Sequence, residues 1–189
     1  MKVQHIFTNF VAVDTLNLDH QRIQDYCYKK FETDLQVEFN QCWLDFDEAQ
    51  GPELRPLFEQ ISDRLFALHK QLQFSTPIEL CKAWINLNNS PFTSAPHIHQ
   101  TAFYSGVYYV KAGTGSGVIE FQSPIAAHPY TVIEGCIEHN NEFNSYLWTE
   151  QPEEGKLIIF PSWLTHYVRP NTDDVDRISI AFNARLAHP

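Results

Sequence analysis

Residues 94–110 read SAPHIHQTAFYSGVYYV. After Pro96 the stretch turns into Phe103, Tyr104, Val107, Tyr108, Tyr109 and Val110, an aromatic and β-branched run that predicts a strand over 102–110. Two histidines, His97 and His99, stand at the mouth of that strand. In extended chain, residues at i and i+2 share a face, so both imidazoles point the same way. Two ring nitrogens aimed together are awkward on a buried face unless something between them, such as a metal, takes both as ligands.

Similar runs recur downstream. ELCKAWINLN (79–88), GVIEFQ (117–122), GKLIIF (155–160) and RISIAFNARL (177–186) are short, apolar and bounded by Pro, Gly, Asn and Asp. They predict a block of about eight strands from residue 78 onward. Upstream, residues 3–13 suggest one further strand. The spacing of Leu18, Ile23, Tyr26 and Phe31 predicts a helix over 16–35, capped by Asp14 or Asn17. A stronger helix follows Pro52, with Leu54, Leu57, Phe58, Ile61, Leu65, Leu68 and Leu72 on one stripe and Pro77 beyond its end. The expected architecture is α+β and mainly β: a jelly-roll barrel with N-terminal helices packed on one side. The expected organisation is a single domain over 1–189. In it, 1–77 supply a strand and supporting helices, and 78–186 form the barrel core with the metal site.

The chain has 189 residues, 43% of them hydrophobic, enough for a sizeable core. A net charge of −10 argues against a general nucleic-acid surface, which needs a basic face. Cys27, Cys42, Cys81 and Cys136 form no CxxC pair and are expected to be free thiols. No apolar run approaches the roughly 20 residues that cross a bilayer. The N-terminus lacks a persuasive signal peptide. A cytoplasmic protein is the expectation, with a homodimer as the default assembly.

If His97 and His99 bind a metal, a third ligand must come from another strand. His5, His20, His69, His128, His139 and His188 are expected to be ordinary solvated side chains. His166 differs, because GKLIIFPSWLTHYV presents it just past a strand and a Pro161 turn. Gly155, Pro161 and His166 have a cupin-like spacing, but Trp163 replaces the usual glycine and no glutamate follows His99, so the likeness is one of barrel geometry. Farther on, alternation puts Arg177, Ser179 and Ala181 on one strand face and Ile178, Ile180 and Phe182 on the other. A guanidinium among aliphatics needs an anion. One candidate is a carboxylate-bearing small molecule, held through two oxygens. The other is Asp173, Asp174 or Asp176, if the strand lies at an edge.

Taken together, HIHQTAFYSGVYYV, EGKLIIFPSWLTHYVRPN and RISIAFN occur in the order seen in a family of 2-oxoglutarate–iron(II) oxygenases of bacteria and phages, and the chain resembles that family over roughly residues 80–183. The resemblance implies a double-stranded β-helix and an iron(II)- and 2-oxoglutarate-dependent dioxygenase. Such an enzyme consumes O2, releases succinate and CO2, and hydroxylates its substrate. By the same resemblance, His97, His99 and His166 would hold iron, and Arg177 and Ser179 would bind the distal carboxylate of 2-oxoglutarate. Asn86, and Asn88 on the same strand face, would also reach the cosubstrate. Tyr104, Tyr108 and Trp163 are candidates for the substrate pocket, with Tyr109 as an alternative to Tyr108 and Phe103 and Tyr167 at the rim; the other reading makes Tyr108 and Tyr109 core residues and the rim aromatics packing groups. Three histidines also match some zinc sites, so the residues alone leave two rivals: a cupin-like metalloenzyme without 2-oxoglutarate (a thiol dioxygenase or isomerase), and a non-catalytic barrel.

Overall fold

The computed structural model describes residues 2, 9–34, 37, 40–89, 93–125, 137–172 and 174–187. The chain opens with β1 (Ala12–Thr15), then α1 (His20–Thr33), β2 (Gln41–Leu44), α2 (Phe46–Ala49) and α3 (Arg55–Gln71). The β core follows as β3 (Ile78–Asn88), β4 (Tyr104–Lys111), β5 (Ile119–Gln122), β6 (Leu147–Glu150), β7 (Lys156–Pro161), β8 (His166–Val168) and β9 (Arg177–Leu186).

The helices differ from expectation mainly at their starts. Asp19 caps α1 by accepting from the Arg22 amide, in place of Asp14 or Asn17. Asp14 is committed elsewhere, to the Thr15 amide and the Arg64 guanidinium. In α3 the proline of the first turn is Pro56, and Pro52 lies in the preceding turn. The α3 stripe buries Leu57, Phe58, Ile61, Leu65 and His69. His69 is therefore not solvated. Its Nε2 lies 2.6 Å from the Thr76 carbonyl and its Nδ1 3.2 Å from the Tyr104 hydroxyl, tying α3 to the sheet. His20 is likewise engaged, with Nδ1 2.9 Å from the Tyr108 hydroxyl. Residues 9–11 are not strand, and residues 3–8 of the expected 3–13 strand lie outside the described residues. His5, His128, His188 and Cys136 also lie outside them. Cys27, Cys42 and Cys81 are free thiols. No described helix is long and apolar enough to cross a membrane.

Two antiparallel sheets form the body. The larger runs β1-β7-β4-β9-β3-β2 and the smaller β6-β5-β8. Alternation assigns each face of the larger sheet. Ile178, Ile180 and Phe182 of β9, with Tyr104, Tyr108 and Val110 of β4, pack with Leu57, Ile61 and Leu65 of α3. The opposite residues Val107 and Tyr109 meet Ile119 and Phe121 of the smaller sheet, together with Phe160 and Leu164. The helices thus cover one side of the larger sheet and the space between the sheets is the barrel interior.

Two bulges adjust that alternation. Between Leu80 and Lys82 the register of β3 on β9 shifts. Leu80 packs with the helix-side core, whereas Lys82 and then Trp84, Asn86 and Asn88 face the interior. A second shift between Tyr109 and Lys111 lets Lys111 reach Tyr28 of α1 while Tyr109 stays inside.

At the centre of β4, Gly106 lets its neighbours close in. A Cβ there would stand 2.3 Å from Cζ of Phe182 and 2.7 Å from the Ile158 carbonyl oxygen. The backbone oxygen cannot yield without breaking the β4–β7 pairing. Gly106→Ala should lower stability by about 1–3 kcal/mol, the range of core overpacking, read as a lower urea midpoint with an unchanged slope.

Candidate metal and cosubstrate site

The histidines meet where the two sheets are stitched together. His97 and His166 exchange backbone hydrogen bonds in an antiparallel bridge, with N···O distances of 3.0 and 3.1 Å. The His99 amide donates to the Ser162 carbonyl at 2.9 Å. These backbone links hold the three rings together, with ligand nitrogens all within 4.8 Å of one another. His97 Nδ1 lies 2.8 Å from the Ala95 carbonyl and His166 Nδ1 2.9 Å from the Leu164 carbonyl. A carbonyl can only accept, so Nδ1–H donates in each ring and Nε2 keeps its lone pair for a metal. Phe160 packs 4.6 Å from the His166 ring, centroid to centroid, and Trp84 5.7 Å from that of His99. Burial, with the charges of His97 and Lys82 adding to it, lowers the pKa of His99 to about 4. Burial also takes His166 to about 3, although the Leu164 hydrogen bond opposes it. Both rings are neutral at pH 7, the state that ligates metal.

Arg177 occupies the deep end of the same pocket. It starts β9, which is an inner strand of the larger sheet between β4 and β3, so the edge-strand alternative falls. The side chain is 3% exposed. Its Nη1 donates to the carbonyls of Ser116 (2.8 Å) and Gly117 (2.9 Å), and its Nη2 to Oδ1 of Asn88 (2.8 Å). No described carboxylate pairs with it, and Asp176 instead accepts from the Tyr28 hydroxyl. Asp173 lies outside the described residues. Asn88 Nδ2 is buried beside the guanidinium with no hydrogen-bond partner among the described residues. Asn86 accepts from Gln41 Nε2 at 3.0 Å and donates weakly to the Ser179 hydroxyl at 3.4 Å. Ser179 then has its own hydroxyl proton to offer the pocket.

The pocket therefore brings together His97, His99, His166, Asn86, Asn88, Arg177 and Ser179. It does not include Tyr104, Tyr108 or Trp163. Tyr104 and Tyr108 are fully buried on the helix side, because β4 alternation turns Ser105, Val107 and Tyr109 inward. Trp163 is half exposed, packs on Phe103 and donates to Asn9. Tyr109 is the tyrosine of the pocket. Burial pushes its pKa up to about 12 although nearby Arg177 opposes the rise, so it remains a hydroxyl donor. Gln41, Trp84 and the Ser116–Gly117 carbonyls are further parts that sequence reasoning did not single out. For Trp84 the signal was present, two residues before Asn86 on one strand face.

The donor set suits two groups. Three clustered imidazoles, two of them with Nε2 left free by their Nδ1 hydrogen bonds, fit a divalent metal, and the buried Arg177 with the unpartnered Asn88 Nδ2 fits a carboxylate. The family described as "Putative 2OG-Fe(II) oxygenase" matches residues 82–183, which span both. No curated protein sequence matches the chain. Among solved structures, a Pseudomonas putida prolyl-4-hydroxylase is similar in fold, with a TM-score of 0.67 at 14% identity over 95% of each chain. The α-ketoglutarate-dependent epimerase SnoN of nogalamycin biosynthesis gives 0.66 at 15% identity over 95% of this chain and 77% of that one. HygX of Streptomyces hygroscopicus, crystallised with nickel and 2-oxoglutarate, gives 0.59 at 12% identity over 95% and 84%. These neighbours share the double-stranded β-helix, and by its matched core this chain belongs to the 2OG-Fe(II) oxygenase family.

Proposed function

We propose that His97, His99 and His166 are the iron ligands of this oxygenase, and that Arg177, Asn88 and Ser179 receive the distal carboxylate of 2-oxoglutarate. One observation carries the second half. Arg177 is a buried cation with no described carboxylate, and the Nδ2 of the adjoining buried Asn88 has no described partner. Both are costly in isolation and both are relieved by one anion with two oxygens. Ser116 and Gly117 hold the guanidinium from behind, and Asn86 turns the Ser179 hydroxyl toward the same place. Tyr109 closes the wall beside Arg177.

The hydrogen bonds from His97 and His166 Nδ1 to backbone carbonyls fix the ring tautomers, so Nε2 is presented without rearrangement. With His99 in place of the more usual carboxylate, the ligand set adds no negative charge to the ion, which favours a doubly anionic cosubstrate. Bound iron and 2-oxoglutarate supply the oxidation: O2 and a substrate C–H go to hydroxylated substrate, succinate and CO2. The protein's share is to bind, orient and exclude water. In this reading the chain works as one domain, with residues 1–77 buttressing the core of 78–186.

Chelator-treated protein, given ferrous iron and then 2-oxoglutarate without oxygen, should develop the visible charge-transfer band of a chelated keto acid. In Arg177→Ala the band should need about 10–100-fold more 2-oxoglutarate, the worth of a charge-assisted hydrogen-bonded pair. An unchanged titration in that variant would sink the assignment. His166→Ala should bind neither iron nor cosubstrate.

Gly117 gives an independent handle. Its φ is +69°, and a Cβ would stand 2.2 Å from the Arg169 carbonyl oxygen. Gly117→Ala must therefore move a carbonyl that holds Arg177, weakening 2-oxoglutarate while iron affinity is kept, as equilibrium titration of each will show.

Acid should also betray the crowded imidazoles. The folded pKa values of about 4 and 3 at His99 and His166 lie below the unfolded 6.5, so the unfolded chain binds more protons in between. Metal-free protein should lose stability as pH falls from about 6.5 toward 4. His99→Gln should flatten that slope in thermal midpoints measured at several pH values.

A further inference from the structure

Beyond the metal and cosubstrate positions, the inward face of β2, β3 and β9 continues. The register stacks Asn88 beside Arg177, Asn86 beside Ser179, Trp84 beside Ala181 and Lys82 beside Asn183. β2 adds Gln41 next to Asn86 and Trp43 next to Trp84. The first two levels are the carboxylate end of the pocket. The third is the level of the metal ligands, since the Trp84 ring packs on His99. Lys82 and Asn183 therefore lie beyond His99, on the side away from Arg177. There Trp43, Lys82, His97, His99, Thr101 and Asn183 line a second recess that opens outward.

The chemistry of this recess is one-sided. The Lys82 ammonium has no hydrogen bond or ion pair among the described residues, yet its charge reaches His99. Asn183 is buried, and its Oδ1 accepts from the Ser105 hydroxyl at 2.8 Å. Ser105 is in turn 2.8 Å from the Ser162 hydroxyl. That chain fixes the amide and leaves Nδ2 as the group offered to the recess. Thr101 adds a hydroxyl. Among the described residues no carboxylate lines either the recess or the inner pocket, in a chain with 23 acidic and 13 basic residues. Trp43, 54% exposed and 5.3 Å from the Trp84 ring, supplies a flat apolar wall. In the reading above, 2-oxoglutarate has both ends engaged by the metal and Arg177, so it makes no use of these groups.

We propose that Lys82, Asn183 and Trp43 form the primary-substrate subsite, and that the substrate is a small molecule carrying one oxyanion group, carboxylate or phosphate, on a flat or apolar body. The inference rests on the iron and 2-oxoglutarate assignment. One lysine matches one oxyanion. A nucleic-acid strand brings a phosphate at every nucleotide and meets a chain of net charge −10.

The test uses the full chain loaded with ferrous iron and saturating 2-oxoglutarate without oxygen. Phenylacetate, phenyl phosphate and uncharged phenylacetamide are titrated in by calorimetry. One anion at least should bind about tenfold tighter than the amide, with the charge-transfer band intact. Which anion does so separates carboxylate from phosphate. In Lys82→Met the preference should shrink to within about twofold, and Trp43→Ala should weaken all three probes alike. The inference is overturned if neither anion outbinds the amide, if the preference survives Lys82→Met, or if the anion displaces 2-oxoglutarate. Failure of the underlying assignment looks different: no band forms before any probe is added. The same titration of metal-free protein then still reads whether anion preference depends on Lys82.

Discussion

The antiparallel pairing of β3 with β9 orders the pocket from its deep end to its mouth. Each strand is amphipathic in a demanding way: Arg177 and Ser179 alternate with Ile178 and Ile180, and Asn86 and Asn88 alternate with Ile85 and Leu87. Rotating the faces of β9 would press a guanidinium into the helix-side core, rotating those of β3 would press two amides there, and either would expose aliphatic residues to the cavity. The desolvation cost of that arrangement far exceeds what a typical domain has to spare. The register is thus held from both sides, by apolar burial against α3 and by hydrogen bonds around Arg177. The bulge before Lys82 is what allows the same strand to begin with Leu80 in the core and still deliver Lys82 to the cavity.

The histidines depend on this frame without belonging to it. None lies on β3 or β9, and their placement comes from backbone bonds that join the loop before β4 to the ends of β7 and β8. The His97–His166 bridge closes the smaller sheet over the larger one. Ser162, in the turn after β7, ties the two systems together: its carbonyl holds the His99 amide and its hydroxyl meets Ser105, which holds Asn183 on β9. Three imidazoles this close are tolerable because burial keeps two of them neutral.

How far the sequence discloses this arrangement varies with the kind of signal. β9 is legible to the residue, since Arg177 in an aliphatic alternation has only one sensible phase. The histidines proposed as metal ligands are legible as a cluster because a His-x-His pair and His166 sit in recognisable runs. Tyr108 and Tyr109 are a different case: adjacent aromatics satisfy either phase, and Gly106 beside them gives no polar marker to break the tie. Only the pairing with β7 and β9 turns Tyr109 inward. β2 is a four-residue strand whose partner is distant in sequence, so no local pattern announces Gln41 or Trp43. The carbonyls that hold Arg177 have no side-chain signature at all. Gly117 is the one trace, and its need for a positive φ emerges only with the turn that crowds it. Similarly, Asp14, Asn17 and Asp19 are equivalent as caps until Asp14 is drawn off by Arg64.

Charge distribution gives these pieces a common logic. The chain is acidic overall, yet among the described residues its cavity is walled without a carboxylate and has a cation at each end. A metal ligand bearing negative charge would offset part of the ion's own charge at the midpoint, and His99 does not. In the proposed arrangement a doubly anionic cosubstrate would balance a divalent ion and leave Arg177 matched by the carboxylate assigned to it. Lys82 is not matched in that count. It sits past His99 beside a donor amide whose acceptor end is already used, so the remaining field points out of the cavity mouth. Water can solvate an exposed ammonium without help, which means Lys82 does not oblige the fold to bring a partner as Arg177 does. The two cations therefore play different parts. Arg177 is buried deeply enough that an empty site carries a standing desolvation cost, whereas Lys82 adds selectivity at the entrance at little cost to folding.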